Sequence, residues 1–283
     1  MIHAECPSDV PPALKKKWTT EKPKASAAFA AHQTYEFSAY AAPGVKILLE
    51  RIFNKKCAYC ECKYRIAVPA DIEHYRPKAK VTLDGKKSIP GYYWLAGELS
   101  NLVPSCRFCN SENYHVIAGK GTTPIKVGKA NWFPLWDEKT RATKEGDEAK
   151  EYPLLLHPYR DDPDQYLEFR ADGLVFSVAK LKGKNKSRAE VSIFHYGLNR
   201  TDLVEERRDW AKRVQGAINH VLRSYGDWKS ARTVAKYRKR VVDDWKDLSE
   251  FVGVDRPYQA LTKRLFANGI SRSVREAIEA IVR

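Results

Sequence analysis

Two Cys-x-x-Cys pairs constrain this chain more than any other feature of its sequence. Cys57 and Cys60 form the first pair, and Cys106 and Cys109 form the second. Two residues between the thiols let both sulfur atoms reach one tetrahedral ion, and two such pairs complete a four-thiolate zinc site. A site closed in this way is structural and contributes to folding. The sequence therefore predicts a structural zinc ion that joins two distant segments.

Two further cysteines lie outside these pairs. Cys62 could replace Cys60 as a ligand, but its looser spacing from Cys57 favours a spare thiol. Cys6 is distant from the other thiols in sequence and is predicted to be unligated. Six cysteines could form three disulfides in a secreted protein, whereas close pairs in a cytosolic chain are more often metal ligands.

The charge balance favours a polyanionic partner. Lys and Arg number 50 against 35 Asp and Glu, which gives a formal net charge of +15. A broad positive field attracts nucleic acid because phosphate contacts release condensed counterions, although a protein that is merely basic is the alternative. The sequence has neither a long apolar run nor a signal segment at its start, so we expect a cytoplasmic protein.

Periodicity and proline placement predict an α+β protein in four segments. The prolines of the first segment predict an irregular, basic arm. The second segment holds the core with the zinc site, the third an accessory β-hairpin, and the fourth mainly helices. Their ranges are 1–43, 44–137, 138–183 and 184–283.

Local patterns place the motifs of the core on secondary structure. Residues 44–53 predict a short helix that leads to Cys57. Residues 66–72, including Ile66, Val68 and Pro69, predict a strand that ends at Glu73 and His74, and Asp84–Gly85 predict a turn. The aromatic residues 91–96 are predicted to be core, with a base-stacking platform as the alternative.

The remaining patterns predict a hairpin and helices. Residues 166–178 indicate a β-hairpin around 171–173. Helices are predicted for residues 203–224, 230–252 and 257–282, with turns near Gly226 and Gly253. Basic and acidic side chains interleave on these helices, so nucleic-acid contact and docking of a partner protein both stay open.

The residues between the cysteine pairs indicate phosphodiester hydrolysis. A histidine such as His74, with an ordinary pKa near 6.5, can take a proton from water at neutral pH. Carboxylate and amide oxygens, as in Glu73 and Asn110, suit a hard divalent cation that stabilises charge on phosphate. A strand places Glu73 and His74 on opposite faces, so a bend is needed to bring both to one ion.

These motifs resemble the zinc-bound HNH, or ββα-metal, endonucleases. The resemblance covers about residues 55–135 and continues more weakly to residue 173. The amino-acid sequence of these motifs is similar to that of one subgroup. This subgroup contains the PtuB-like HNH proteins of Septu antiphage systems and HNH proteins encoded beside some retrons. The matching stretches are Ile-Glu-His-Tyr-Arg-Pro-Lys from residue 72, Asn-Leu-Val-Pro-Ser-Cys from residue 101, Cys-x-x-Cys-Asn from residue 106 and Phe-Pro-Leu from residue 133.

The resemblance implies roles for four residues. His74 corresponds to the general base, and Asn101 to the residue that braces the loop holding this base. Glu73 and Asn110 correspond to ligands of a catalytic Mg²⁺ or Mn²⁺. The resemblance also implies cleavage of DNA to 5′-phosphate and 3′-hydroxyl ends, and partnership with a PtuA-like ATPase. The chain has no Walker motif, and the Gly- and Lys-rich residues 119–129 are expected to form a flexible insertion.

Three other positions carry weaker expectations. His115, expected on a helix that begins at the second cysteine pair, could ligate the ion, touch the phosphate or be a surface residue. Arg76 and Lys78 are expected near the substrate backbone if the site is catalytic, and on a solvated face otherwise. The alternative to an enzyme is a non-catalytic, zinc-stabilised module that binds nucleic acid or a partner.

Overall fold

The computed structural model describes residues 1, 3–64, 70–83 and 87–283, and it shows an α+β protein as predicted. These residues form two compact units, residues 1–168 with 176–200 and residues 169–175 with 201–283. The helices are α1 Pro12–Ala30, α2 Val45–Ile52, α3 Arg107–Asn110, α4 Gly183–His195, α5 Thr201–Ser230, α6 Ala235–Phe251, α7 Gln259–Gly269 and α8 Arg272–Val282. The strands are β1 Asp71–His74, β2 Lys80–Leu83, β3 Lys87–Pro90, β4 Leu102–Ser105, β5 Asn113–His115, β6 Ile125–Val127, β7 Leu167–Phe169 and β8 Val175–Ser177.

Helix α1 corrects the prediction of an irregular arm over residues 1–43. Pro12 occupies the first turn, where a backbone N–H has no partner inside the helix, and only Pro23 lies in the interior. Leu14, Trp18 and Ala25 are buried on one face of α1. The prediction is wrong for residues 12–30 because burial of this face outweighs the hydrogen bond that Pro23 cannot make.

An apolar cluster in the first unit supports the residues that lead to the first cysteine pair. Helix α2 confirms the helix predicted over residues 44–53. Leu14 from α1, Val45 and Leu49 from α2, and Leu102 from β4 all belong to this cluster and are fully buried. The cluster therefore fixes α2 and β4, and the chain reaches Cys57 directly after α2.

Strands β1 and β4 form a two-stranded antiparallel sheet between the two cysteine pairs. Glu73 lies opposite Val103, and His74 lies opposite Leu102. The earlier part of the predicted strand, with Ile66, Val68 and Pro69, falls outside the described residues, as does the predicted turn at Asp84–Gly85. The described strand thus begins at Asp71 and ends at the two residues expected to be catalytic.

The aromatic stretch at residues 91–96 belongs to the core, as predicted. The side chains of Tyr92 and Trp94 are buried. The Tyr92 hydroxyl donates a hydrogen bond to Glu151 Oε1 at 2.6 Å. Both rings are therefore unavailable for stacking on bases.

The β-hairpin predicted over residues 166–178 is confirmed by the pairing of β7 with β8. Its turn contains Gly173, with φ of +87°, a value that side chains disfavour. A Cβ atom at Gly173 would also lie 2.1 Å from the carbonyl oxygen of Val204. Only glycine fits this position.

Helices α5 to α8 make up most of the second unit. The turn predicted near Gly226 is wrong, because α5 continues to Ser230; a glycine in a helix costs only about 1 kcal/mol and does not end it. The turn near Gly253 is confirmed. The single helix predicted over residues 257–282 is instead α7 and α8, separated at Ile270–Ser271. No helix in the described residues is long and apolar enough to cross a membrane.

Candidate metal centre and hydrolytic site

Four buried cysteines converge at the junction of α2, β4 and α3. The Sγ atoms of Cys57, Cys60, Cys106 and Cys109 all lie within 4.8 Å of one another. Zn–S bonds of about 2.3 Å in a tetrahedral site set sulfur atoms about 3.8 Å apart, and Cys60 Sγ is 3.8 Å from Cys106 Sγ. The four thiols form a potential metal-binding site whose donors and spacing fit structural zinc.

Backbone hydrogen bonds bring the two cysteine pairs together. The Ala58 N–H donates to Pro104 O at 2.9 Å, which ties the first pair to β4. Cys57 O accepts from the Glu61 N–H at 3.0 Å, and Glu61 has φ of +65°. The chain turns sharply after Cys60 for this reason.

The two other cysteines differ in their distance from this cluster. Cys62 is half-buried, and its Sγ lies 3.2 Å from Cys60 Sγ, although Cys62 is not one of the four clustered residues. Cys6 is exposed and lies outside the four-cysteine cluster. Neither cysteine is among the four clustered residues, and the expectation that both are unligated stays a prediction.

Arg200 is a neighbour of the metal centre that sequence reasoning missed. Its guanidinium is buried and donates to Cys109 Sγ at 3.6 Å and to Cys60 Sγ at 3.8 Å. A further hydrogen bond to Gly197 O at 3.0 Å fixes its orientation. The cation offsets negative charge on the thiolates, a role that no local spacing in the sequence could reveal.

Glu73 and His74 point away from each other at the end of β1. The Glu73 carboxylate contacts Lys129, whereas the His74 ring contacts Tyr40 and the backbone of Ala96. This divergence is what a regular strand imposes. The bend considered from the sequence, which would direct both side chains to one ion, is absent from the described strand.

The His74 imidazole is held in one tautomer. Its Nε2 lies 2.9 Å from Ala96 O, and a carbonyl can only accept, so Nε2 carries the proton. Its Nδ1 lies 3.4 Å from Lys78 Nζ. Burial, and next the charge of Lys78, hold the pKa of His74 well below its usual value. The ring is therefore neutral at pH 7, with the lone pair of Nδ1 as its basic site.

Lys129 connects Glu73 to the second cysteine pair. Its buried ammonium donates to Glu73 Oε1 at 2.5 Å and to His74 O at 2.9 Å. Its backbone N–H donates to Cys109 O at 2.9 Å, and the next N–H, that of Ala130, donates to Asn110 O at 2.6 Å. Burial raises the pKa of the Glu73 carboxyl, and the Lys129 charge opposes this rise.

Lys129 therefore belongs to the site, although the sequence placed it in a flexible insertion at residues 119–129. Strand β6, Ile125–Val127, pairs with β5 and delivers Lys129 to Glu73. Gly128 permits the approach, because a Cβ atom there would lie 2.1 Å from Ser111 O. The expectation of an insertion is wrong for residues 125–129. A Gly-Lys step just before the Phe-Pro-Leu stretch was the available signal.

The Asn101 side chain hydrogen-bonds to the backbone of two segments, the one that follows His74 and the one that precedes Ala96. Its Oδ1 accepts from the Arg76 N–H at 2.8 Å. Its Nδ2 donates to Arg76 O at 3.0 Å and to Leu95 O at 3.2 Å. Leu95 directly precedes Ala96, whose carbonyl orients His74. Asn101 therefore links the two segments that hold the imidazole.

Asn110 lies at the end of α3 and faces β1. Its Nδ2 donates to Asp71 Oδ2 at 3.0 Å. Asp71 is exposed and Asn110 is half-buried. The contact leaves the Asn110 amide oxygen beside a second hard oxygen donor, which the sequence analysis did not include.

The structure separates the two basic residues that follow His74. Arg76 is buried, and its Nε donates to Glu151 Oε2 at 3.0 Å. This ion pair argues against the predicted phosphate contact, because a substrate would have to compete with a buried carboxylate. Lys78 is only half-buried and stays beside His74. Burial lowers the pKa of Lys78.

His115 lies on strand β5, so its predicted helical position is wrong. Helix α3 ends after one turn, where Ser111 adopts an extended conformation and β5 begins to pair with β6. The His115 ring contacts Phe108 edge-on, at 5.3 Å between ring centroids.

The amino-acid sequence of this chain is similar to those of known proteins. No family model matches the chain. The chain is 32% identical over 251 residues to the Septu protein PtuB of Bacillus mycoides (strain KBAB4), an alignment that covers 84% of this chain and 78% of the relative. It is also 30% identical over 211 residues to the Septu protein PtuA of the same strain, which covers 74% of this chain but 25% of that longer protein.

Proposed function

This chain belongs to the family of the Septu protein PtuB, and from this membership we propose that it is the HNH endonuclease of an antiphage defence system. The reaction is metal-dependent hydrolysis of phosphodiester bonds in DNA, leaving 5′-phosphate and 3′-hydroxyl ends. Nucleic acid suits a chain with a net charge of +15. The cytoplasm, where thiols stay reduced, is its proposed location.

The environment of His74 carries this proposal. A general base has to be unprotonated at the working pH and has to keep one nitrogen free for the proton that it takes. The Ala96 carbonyl holds the proton on Nε2, and Nδ1, which faces Lys78 Nζ at 3.4 Å, becomes the acceptor for a water proton once water replaces that contact. Its neutral state at pH 7 and its fixed tautomer are the two features that suit His74 to deprotonate a water molecule.

Lys78 supports the same role. Its ammonium lies 3.4 Å from the basic nitrogen of His74 and 4.6 Å from the centroid of the Tyr40 ring. Its half-buried position lets it meet a phosphate oxygen next to the water that His74 activates. We therefore assign the substrate phosphate to Lys78 and not to Arg76.

The oxygen donors fit a divalent ion only in part. When bound, Mg²⁺ or Mn²⁺ would stabilise the charge that develops on the phosphate. Asn110 fits as a ligand because its amide nitrogen, not its oxygen, is the atom bonded to Asp71. Glu73 fits less well because Lys129 already neutralises it. Its use as a ligand requires the Lys129 ammonium to move away.

A PtuA-like ATPase is the proposed partner. One of the relatives carries the name PtuA, and this chain has no Walker motif through which it could bind nucleotide itself. Nucleotide control of cleavage would therefore come from a second protein. Zinc in the four-cysteine site would keep the nuclease region folded both in the complex with the ATPase and in the isolated chain.

A non-catalytic binding module is the second candidate. The Glu73–Lys129 ion pair and the burial of His74 favour it, since both resemble structural contacts. The zinc site and the basic surface would be the same in both cases. Only the dependence of cleavage on His74 separates the two candidates.

The test is cleavage of plasmid, linear duplex, single-stranded DNA and RNA by the purified full chain with Mg²⁺ or Mn²⁺. We expect DNA cutting that a chelator abolishes and that His74→Ala lowers by 100-fold or more, with zinc content and circular dichroism unchanged. His32→Ala, at an exposed histidine, is the matched control. If the chain stays inactive with and without the ATPase while it remains folded and zinc-loaded, the binding module is correct.

A further inference from the structure

A fifth thiol adjoins the four-cysteine site. Cys62 Sγ lies 3.2 Å from Cys60 Sγ, closer than Cys60 lies to Cys106 within the cluster, at 3.8 Å. Cys62 is half-buried, whereas the four clustered cysteines are buried. A tetrahedral ion is saturated by four thiolates. Cys62 is therefore a surplus sulfur in contact with a metal ligand and within reach of small solutes.

We propose that Cys60 and Cys62 form a disulfide when the protein meets hydrogen peroxide, and that this bond releases the zinc. The inference rests on the zinc proposed for the four-cysteine site and is independent of nuclease activity. The chemical class of the oxidant is a small hydroperoxide, which can reach a half-buried thiol. The reaction itself requires only the two thiols and the hydroperoxide.

The reaction balances in two steps. Peroxide first transfers one oxygen to Cys62, which converts the thiol to a sulfenic acid and the peroxide to water. The sulfur of Cys60 then attacks the sulfur of Cys62, and hydroxide leaves and takes up a proton to form a second water. The Zn–S bond of Cys60 breaks as the S–S bond forms. Each sulfur loses one electron, and the peroxide gains two.

The local geometry permits this bond. A disulfide needs sulfur atoms about 2.05 Å apart, so the two atoms must approach by about 1.2 Å. Both belong to a three-residue segment whose middle residue, Glu61, already has φ of +65°. Cys62 also interacts with the Cys106 thiol, but Cys60 is the favoured partner because its Sγ lies 3.2 Å away and both cysteines belong to this one short segment.

Loss of one ligand would weaken the site. Three thiolates remain after oxidation, Cys57, Cys106 and Cys109, and Arg200 would then face fewer negative charges. The site joins two segments far apart in sequence, so zinc release loosens the nuclease region as well. A reductant would reverse the process, because the half-buried Cys62 sulfur of this disulfide is within reach of small thiols.

The experiment treats the zinc-loaded full chain with hydrogen peroxide and follows zinc release with a chromogenic chelator. Peptide mapping by mass spectrometry then identifies the disulfide. We compare wild type with Cys62→Ser and with Cys6→Ser, the matched control at an exposed thiol outside the cluster. We expect wild type and Cys6→Ser to release zinc alike, and Cys62→Ser to release it about tenfold more slowly.

Several outcomes would overturn the inference. Equal release from wild type and Cys62→Ser would do so, as would a disulfide that joins Cys60 to Cys106 in place of Cys62. Loss of zinc from untreated Cys62→Ser would mean that Cys62 is itself a ligand. Absence of zinc from untreated wild type would instead refute the zinc assignment, and nuclease assays would be judged separately. A Cys60–Cys62 disulfide in treated wild type, with recovery of zinc binding after reduction, would support the inference.

Discussion

The ammonium of Lys129 donates to Glu73 Oε1 at 2.5 Å, and the two side chains are 0% and 10% exposed. Glu73 is expected from the family resemblance to ligate a catalytic ion, yet its charge is already balanced by a lysine. Lys129 also binds the backbone beside Asn110. The pair is therefore a structural connection between the two halves of the proposed site.

Replacement of Lys129 should destabilise the protein strongly. Lys129→Met leaves a buried carboxylate without its partner, which typically costs about 3 to 5 kcal/mol. The free energy of unfolding in urea would measure this loss. Lys126→Met, at an exposed lysine in β6, is the control and should change stability by less than about 0.5 kcal/mol.

The double variant Lys129→Met with Glu73→Gln tests the electrostatic cause. Removing both charges leaves no unpaired ion in the core, so the double variant should be more stable than Lys129→Met alone. If the double variant is the less stable of the two, the ion pair is not the reason for the loss. Mg²⁺ affinity of Lys129→Met should rise if Glu73 becomes free to ligate the ion.

Arg200 should tune the affinity of the metal centre. Arg200→Gln removes the cation that donates to Cys60 and Cys109, and loss of a partner of the ligands typically lowers metal affinity by 10- to 100-fold. Competition for zinc against a calibrated chelator would measure the change. Arg107→Gln is the control, because Arg107 adjoins Cys106 but is exposed; equal effects in both variants would refute a specific role for Arg200.

His157 should make the protein sensitive to acid. Its Nδ1 accepts the Tyr159 N–H at 3.1 Å, so protonation breaks this hydrogen bond. Burial, and next the charges of Arg160 and Arg76, lower its pKa to about 3. The unfolded chain binds a proton below pH 6.5 and the folded one does not, so stability is complete above pH 6.5 and falls toward pH 3.

The measurement is the free energy of unfolding at several pH values between 6.5 and 4. The difference between wild type and His157→Gln should shrink by about 1 kcal/mol per pH unit as pH falls. His32→Gln, at an exposed histidine, should leave the slope of wild type unchanged. A constant difference across this range would exclude His157 as the acid-sensitive group.

Cleavage should tolerate moderate acid for a related reason. Burial and Lys78 hold the pKa of His74 well below 6.5, so the imidazole stays neutral and competent as pH falls through 6.5. The rate of DNA cleavage under single-turnover conditions should show no inflection between pH 7.5 and 6.5 from this group. Lys78→Met should move the inflection to higher pH, because loss of the neighbouring positive charge raises the pKa of His74.

Some features could be predicted from the sequence because they are encoded locally. Two-residue spacing predicted the four-cysteine cluster, and helical spacing predicted α2. Alternation in a strand indicated that Glu73 and His74 diverge unless the strand bends. In each case residues close together in sequence fix the geometry, so the local sequence is sufficient to predict it.

Other features were decided only by tertiary structure. Lys129 reaches Glu73, Arg200 reaches two cysteine sulfurs, and Arg76 turns inward to Glu151, each across more than fifty positions of sequence. Proline content predicted an irregular arm, but burial of one face of α1 prevailed. Local patterns report the preferences of a segment, whereas the partner that neutralises a buried charge depends on which segments the folded chain brings together. The four-cysteine cluster could therefore be predicted from the sequence alone. The partners of the buried charges around it were decided by the tertiary structure.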